Sequence, residues 1–332
     1  MKKKLILCIV AILLGIGISG WYVYYFLTTP GPSHSQPIVV LIPPGGQLRT
    51  IVRDLVSEGV LTNGLAFSWW ARLTKADRKI KSGEYEFTEP LSPLELLRRL
   101  TQGESRRLIV TIPEGKTVKE IAAILADKGL GTAESFLCLN TDPAFLDRWG
   151  LPPQGMEGYL FPDTYYLSRF AMPEEILGKM IERFYRVFTP AMYRQAEGTN
   201  MSPHEVVTLA SLVEKETGAA AERPLVSAVF HNRLKKGMLL QCDPTVIYGI
   251  ENFNGNLTRL HLRTPTPYNT YVIPGLPPGP IANPGLHSML ATLHPADRPY
   301  LYFVGKGDGT HEFSSDLASH NRAVQQFQKR RS

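Results

Sequence analysis

Three lysines, Lys2 to Lys4, precede a stretch from Leu5 to Leu27 that carries no charged residue. At about 1.5 Å per helical residue, such a stretch is long enough to cross a hydrocarbon layer of about 30 Å. It therefore separates a membrane segment from everything that follows. A cleaved signal peptide is the alternative, with Ser19-Gly20 as a weak cleavage site, but its apolar part usually extends only about 7–15 residues. Trp21, Tyr22, Tyr24 and Tyr25 at the far end match the aromatic girdle of a lipid–water boundary and favour a retained anchor. The lysines place the tail 1–4 in the cytoplasm and the chain beyond about residue 28 outside. Gly15-Ile16-Gly17-Ile18-Ser19-Gly20 fits the spacing GxGxxG, but no strand of a βαβ unit precedes it, so it is not read as a nucleotide site.

The 332 residues allow two or three domains, and 43% hydrophobic with 20% charged residues is a globular composition. A net charge of +6 suits an anionic partner. Placement outside the membrane removes nucleic acid from the candidates and leaves an envelope polymer or an anionic membrane surface. The three cysteines, Cys8, Cys138 and Cys242, are widely spaced. They encode neither a zinc ribbon nor a disulfide framework, and Cys138 and Cys242 read as buried small hydrophobes.

Residues 28–36, rich in Pro, Ser and Thr, read as a linker. From Ile38 an apolar strand leads through Ile42-Pro43-Pro44-Gly45 to Leu48, Ile51, Val52, Leu55 and Val56 at helical spacing, closing at Gly59. The unit recurs as Ile112-Pro113-Glu114-Gly115, then Val118, Ile121, Ala122 and Leu125, closing at Gly129. Between the copies, Gly83–Phe87 alternates like a strand, and Ser92-Pro93-Leu94-Glu95 opens a helix over 94–100. This part either positions something or acts as a spacer.

In the second half, Ser202-Pro203-His204-Glu205 is a capping box that starts a helix ending near Gly218. Glu216 lies on the same helical face as Leu209, Leu212 and Val213, whereas Glu214 is turned away by about 200°. A carboxyl group at the end of an apolar stripe is desolvated, and its raised pKa suits a general acid. Glu216 is therefore the catalytic candidate, and substituting Glu214 should be the milder change. The competing reading is a frayed helix end with both carboxylates in water. Asp243 before Pro244 reads as an N-cap of a helix over 245–248, with catalysis as its second reading. The aromatic segment 155–166 lines either a groove or a core. The Pro/Gly run 275–285 reads as a rigid exposed loop, and Asp308-Gly309 as a hairpin turn. Outside the anchor there is no HExxH, GxSxG or Walker A sequence.

Several ordered motifs together resemble the endolytic murein transglycosylase (YceG-like) family. They are Glu157-Gly158-Tyr159-Leu160-Phe161-Pro162-Asp163-Thr164-Tyr165, Leu212-Val213-Glu214-Lys215-Glu216-Thr217, Ser227 to Leu234, Leu240 to Gly249, Tyr268-Asn269-Thr270-Tyr271 and Gly275-Leu276-Pro277-Pro278-Gly279. The resemblance covers nearly the whole chain. It implies an α+β protein with a single membrane helix at 5–27, a LysM-like module at 37–150 and a mixed α/β catalytic domain at 151–332. It also implies a plasma (inner) membrane enzyme that cuts β-1,4 bonds between N-acetylmuramic acid and N-acetylglucosamine inside nascent glycan strands, leaving 1,6-anhydro ends. Glu216 would be the acid/base, with no metal and no cofactor. Asn232, Gln241, Asp243, Tyr248, Tyr268, Asn269 and Asn283 are weaker candidates for holding the sugars. The implied partners are peptidoglycan strands, membrane lipid and peptidoglycan synthases. Cys242 stands where the family is expected to carry Thr or Ser. A hydrolase using water, with Asp243 or Asp163 as second acid, and a non-catalytic glycan-binding scaffold are the alternatives.

Overall fold

The computed structural model describes the backbone of residues 2–328 and the side chains of residues 13–15 and 17–328. The fold is mixed α+β, with fifteen α-helices and three two-stranded sheets among the described residues. The chain divides into two compact units, one formed by Met1–Ile109 with Tyr166–Ala171 and the other by Val110–Tyr165 with Met172–Ser332.

The first unit carries α1 (Lys2–Thr28), β1 (Ile38–Ile42), α2 (Leu48–Ser57), α3 (Gly64–Leu73), β2 (Gly83–Phe87) and α4 (Pro93–Gln102). β1 pairs antiparallel with β2, Ile38 opposite Phe87 and Ile42 opposite Gly83. The alternation read from the sequence for Gly83–Phe87 buries Tyr85 and Phe87, and Val40 and Ile42 of the wholly apolar β1 are buried on the same face. Against them pack Ile51, Val52 and Leu55 of α2 and Leu96, Leu97 and Leu100 of α4. Gly45 adopts φ +71° in the turn after β1, a left-handed conformation that favours glycine. Ser92 caps α4 by accepting from the Glu95 N–H at 3.3 Å. The expected linker is tied down, since the Gly31 N–H donates to the Leu91 carbonyl at 2.9 Å. The side chains of nine of the 23 residues of the expected anchor, those of residues 5–12 and 16, lie outside the described residues. Among the described residues no helix is long and apolar enough to cross a membrane.

The second unit is built on helices. β3 (Leu108–Thr111) and β4 (Thr164–Leu167), each of which the division crosses, pair with each other, and between them run α5 (Val118–Asp127), α6 (Ala133–Leu139) and α7 (Pro143–Trp149). Next come α8 (Pro173–Val187), α9 (Pro190–Gly198), α10 (Pro203–Glu216), α11 (Arg223–Lys235), α12 (Asp243–Tyr248), α13 (Arg259–Arg263) and α14 (Leu286–Leu293). The hairpin β5 (Tyr302–Gly305) and β6 (His311–Ser314) and the helix α15 (Leu317–Phe327) complete the chain. The hairpin forms around Asp308-Gly309 as expected, with Gly305 opposite His311.

α10 is the central element. Every residue from Val206 to Val213 is buried, so the helix has no solvent face along that length. Both reciprocal bonds of the capping box at Ser202 and Glu205 are present. Leu209, Leu212 and Val213 pack with Val226 and Phe230 of α11, with Leu240, Cys242 and Ile281 beside them.

The two strand–turn–helix copies form as expected, but the second belongs to the unit of α10. Its turn is held there by backbone bonds in both directions between Gly115–Lys116 and Asn283, each 2.9 Å. The 275–285 run is not an exposed loop throughout, because its second half, 279–285, is buried. Asn283 explains the burial: its Oδ1 accepts from the Leu160 N–H, and its Nδ2 donates to the Lys116 carbonyl, both at 2.8 Å. The aromatic segment is largely core, with Met156, Tyr159, Leu160, Phe161 and Tyr165 all buried. Cys138, read as buried, is exposed, whereas Cys242 is buried and both are free thiols.

Candidate active site

Glu216 is the last residue of the buried helix α10, where Thr217 turns the backbone to an extended conformation. It opens into a cavity of about 360 Å³ lined by Arg233, Gln241, Asp243, Tyr271, His311 and His320, with Leu240, Phe303 and Val304 as apolar wall. Burial pushes the Glu216 carboxyl above its ordinary pKa, and the nearby Asp243 carboxylate adds to the effect. The Cys242 thiol, hydrogen-bonded to that carboxyl, opposes the shift, as do His311 and Arg233. The net shift is upward, toward the protonated form that a general acid needs, beside an open polar space.

Glu214 has a different task. Its side chain is 6% exposed and lies 3.2 Å from the Arg223 guanidinium, itself 10% exposed. Its other oxygen accepts from the Gly285 N–H at 3.0 Å. Arg223 also reaches Glu114 of the second repeated turn at 3.4 Å. The reading of a frayed, solvated helix end is therefore overturned for both carboxylates. Glu214 ties three segments together, while Glu216 faces the cavity.

The weaker candidates separate into three groups. Gln241 and Asp243 line the Glu216 cavity. Gln241 takes φ +50° and donates its N–H to the Thr270 carbonyl, which fixes the turn ahead of α12. Asp243 is not the N-cap; Cys242 occupies that position without a capping side-chain bond, and Asp243 is the first helical residue. This frees its Oδ1 to accept from the Tyr271 hydroxyl at 2.6 Å.

Tyr248 and Tyr268 pack ring to ring with centroids 4.8 Å apart, and the Tyr248 hydroxyl donates to Glu157 at 3.2 Å. Glu157 also accepts from Asn283 Nδ2 at 2.9 Å and from the Val118 N–H at the start of α5, and burial pushes its pKa up to about 7. Three asparagines are engaged with the protein itself. Asn232 donates to the carbonyls of Arg298 and Tyr300, Asn269 to those of His261, Leu262 and Thr264, and Asn283 as described above. The side-chain amides of Asn232 and Asn269 thus hold loops by satisfying backbone carbonyls.

Four lining residues stand outside the candidates read from the sequence: Arg233, Tyr271, His311 and His320. Arg233 lies over the Tyr302 ring at 5.3 Å and donates to the carbonyls of Leu240 and Leu301 at 2.8 and 2.7 Å. It is thus a buried cation held by carbonyls rather than by a carboxylate. Tyr271 sits in the Tyr268–Tyr271 motif, which marked its segment, and His320 lies on α15. His311 carried no such signal, because the hairpin explained its position completely.

The carboxyl at the end of a core helix thus faces a polar cavity with Asp243 as the neighbouring carboxylate, an arrangement that suits acid–base chemistry. The chain belongs to the YceG-like family, whose model matches residues 40–326. It is 30% identical over 328 residues to the endolytic murein transglycosylase of Bacillus subtilis, covering 93% of this chain and 91% of that protein. It is also 28% identical to an endolytic murein transglycosylase of Streptococcus pneumoniae, of which it spans 65%. A crystal structure of a yceG-like protein from Listeria monocytogenes superposes with a TM-score of 0.61 at 30% identity, covering 87% of this chain and 99% of that one.

Proposed function

We propose that this chain is an endolytic lytic transglycosylase that cleaves β-1,4 bonds between N-acetylmuramic acid and N-acetylglucosamine within peptidoglycan strands, leaving 1,6-anhydro ends. The observation that carries the reading is the Glu216 carboxyl, desolvated and facing an open polar cavity. Its proton goes to the oxygen of the departing N-acetylglucosamine. The C6 hydroxyl of the N-acetylmuramic acid then closes on C1, so no water and no covalent sugar–enzyme bond is needed. Gln241, Asp243, Tyr271 and Arg233 supply donors and acceptors for the sugar hydroxyls and N-acetyl groups. No metal or organic cofactor enters this scheme.

The amino-terminal stretch 5–27 acts as a membrane anchor, with the tail 1–4 cytoplasmic and the rest outside. The exposed apolar side chains of Leu13, Leu14, Ile18 and Trp21 support this reading. The first unit, with the segment up to about residue 150, positions the catalytic part at newly made glycan in the manner of a LysM-like module, close to the synthases that extrude it.

Asp243 in the same cavity supports one second reading, a hydrolase in which that carboxylate activates water. Digestion of purified glycan strands with the full chain, followed by product mass analysis, separates the two by one water: anhydro ends support the transglycosylase and reducing ends the hydrolase. Glu216→Gln is expected to abolish cleavage with normal folding. Unchanged cleavage in that variant would place the acid elsewhere, and absence of cleavage by the unaltered protein would leave a binding scaffold.

A further inference from the structure

The helix α3 is apolar on two opposite faces. Phe67 and Ala71 are fully buried in the core of the first unit, and Trp70 packs against that core. Leu65, Trp69 and Leu73 recur every fourth residue on the other side and are 86%, 71% and 62% exposed. A surface helix ordinarily turns polar side chains outward, and here one outward stripe consists of large hydrophobes. Arg72 borders that stripe and is exposed as well.

The start of α3 is tied to the end of α1. Asn63 caps α3 by accepting from the Ala66 N–H at 3.0 Å. The residues just before it, Val60, Leu61 and Thr62, share a cleft with Tyr22, Tyr25 and Phe26 of α1. Phe26 packs against the core of the unit and Leu27 is buried, so α1 enters the unit without a loose joint. Tyr22 and Tyr25 belong to the aromatic girdle that the sequence sets at the lipid–water boundary. Their contact with residues 60–62 puts the first turn of α3, with Leu65, next to that boundary.

We propose that the outer face of α3 is a lipid-contact surface: Leu65, Trp69 and Leu73 enter the boundary of the membrane that holds α1, and the basic segment 72–81 lies on its anionic headgroups. Charge selects this occupant. Arg72, Lys75, Arg78, Lys79 and Lys81 are all exposed, and Asp77 is the one acidic residue among them. Basic side chains beside an apolar stripe with a tryptophan are the composition of a helix lying in an anionic interface. Three side chains on about 12 Å of helix fall short of the roughly 20 residues a side that a stable protein interface takes. A glycan strand needs hydrogen-bonding partners around a ring, and the leucines on either side of Trp69 offer none. Contact through α3 as well as α1 fixes the tilt of the first unit on the membrane, which a single helix by itself leaves open.

The inference rests on the reading of 5–27 as an anchor, and one experiment separates the two. The full-length protein is reconstituted in vesicles of phosphatidylglycerol and phosphatidylcholine, with and without bromine on the acyl chains. Tryptophan emission is compared among the parent, Trp21→Phe and Trp69→Phe, so that each difference isolates one indole. Trp69 emission is expected to fall at least about twofold in brominated vesicles, because interfacial insertion of about 5–10 Å brings the indole to the bromines. Replacing phosphatidylglycerol by phosphatidylcholine, or combining Leu65→Glu with Leu73→Glu, should reverse most of that loss. Both leucines are exposed, so the fold should be kept, and thermal unfolding checks it. Unchanged Trp69 emission with quenched Trp21 overturns the inference and leaves the anchor standing, whereas loss of both signals overturns both. Quenching that persists in the double glutamate variant overturns the assigned face. A Trp69 shift produced by soluble glycan strands and not by brominated lipid would make the face a glycan site and also overturns the proposal.

Discussion

Glu214 and Glu216 stand two residues apart on one helix, and replacing each by glutamine should have opposite consequences. Glu214→Gln removes the charge facing Arg223, which is 10% exposed and whose Nε already lacks a partner. Breaking a buried ion pair from one side costs about 3–5 kcal/mol. Glutamine still offers an oxygen to the Gly285 N–H, and Glu114 still reaches the guanidinium, so about 2–3 kcal/mol is expected for this variant. At about 2–4 °C per kcal/mol for a unit of this size, the melting temperature should fall by about 5–10 °C.

Glu216→Gln removes a carboxyl whose ionised form is penalised by burial. Its folded pKa lies above the unfolded value, so the unmodified group costs stability as pH rises past the unfolded pKa. At pH 8 the variant should melt at or above the parent temperature while being inactive. Scanning calorimetry of the three proteins at pH 8, alongside glycan digestion, makes the comparison. A Glu214→Gln melting point within 1 °C of the parent, or a Glu216→Gln loss as large as that of Glu214→Gln, would refute the division of labour. Sequence periodicity points the other way for stability, since it turns Glu214 toward water.

Two further outcomes are expected. Burial raises Glu157 to about 7, with Glu120 adding to the shift and Lys215 opposing it; the folded protein therefore holds this proton where the unfolded chain has lost it. Stability should then decline between about pH 4.5 and 7, by about 3 kcal/mol from this group, and level off above. Denaturant unfolding of Glu157→Gln should show a flatter dependence over that range, and an unchanged slope would assign the dependence to other groups. Cys242→Thr keeps a donor beside Glu216 and should retain activity, whereas Cys242→Val should lower kcat about tenfold with little change in melting. Equal activity in the valine variant would show that the thiol's bond to Glu216 has no catalytic effect.

The sequence by itself determined the local elements, because each is dictated within a few residues. Alternation placed Tyr85 and Phe87 inward, Ser202 with Glu205 started α10, and Asp308-Gly309 turned the hairpin. It also singled out Glu216, through a helical face ending in a carboxyl. What only the tertiary structure decided are the partnerships between distant segments. Burial of α10 on all sides withdrew Glu214 from water as well, and the Arg223 guanidinium made that position structural. The second repeated turn matches the first in sequence, yet its bonds to Asn283 and Arg223 recruit it to the unit of the site. Asn232, Asn269 and Asn283 looked free to hold sugars, but their amides satisfy the protein's own groups. Glu222 and His311 meet only because the hairpin folds back onto the turn after α10. Hydrogen bonds of this kind depend on which buried group is left without water, and that is settled by packing rather than by spacing along the chain.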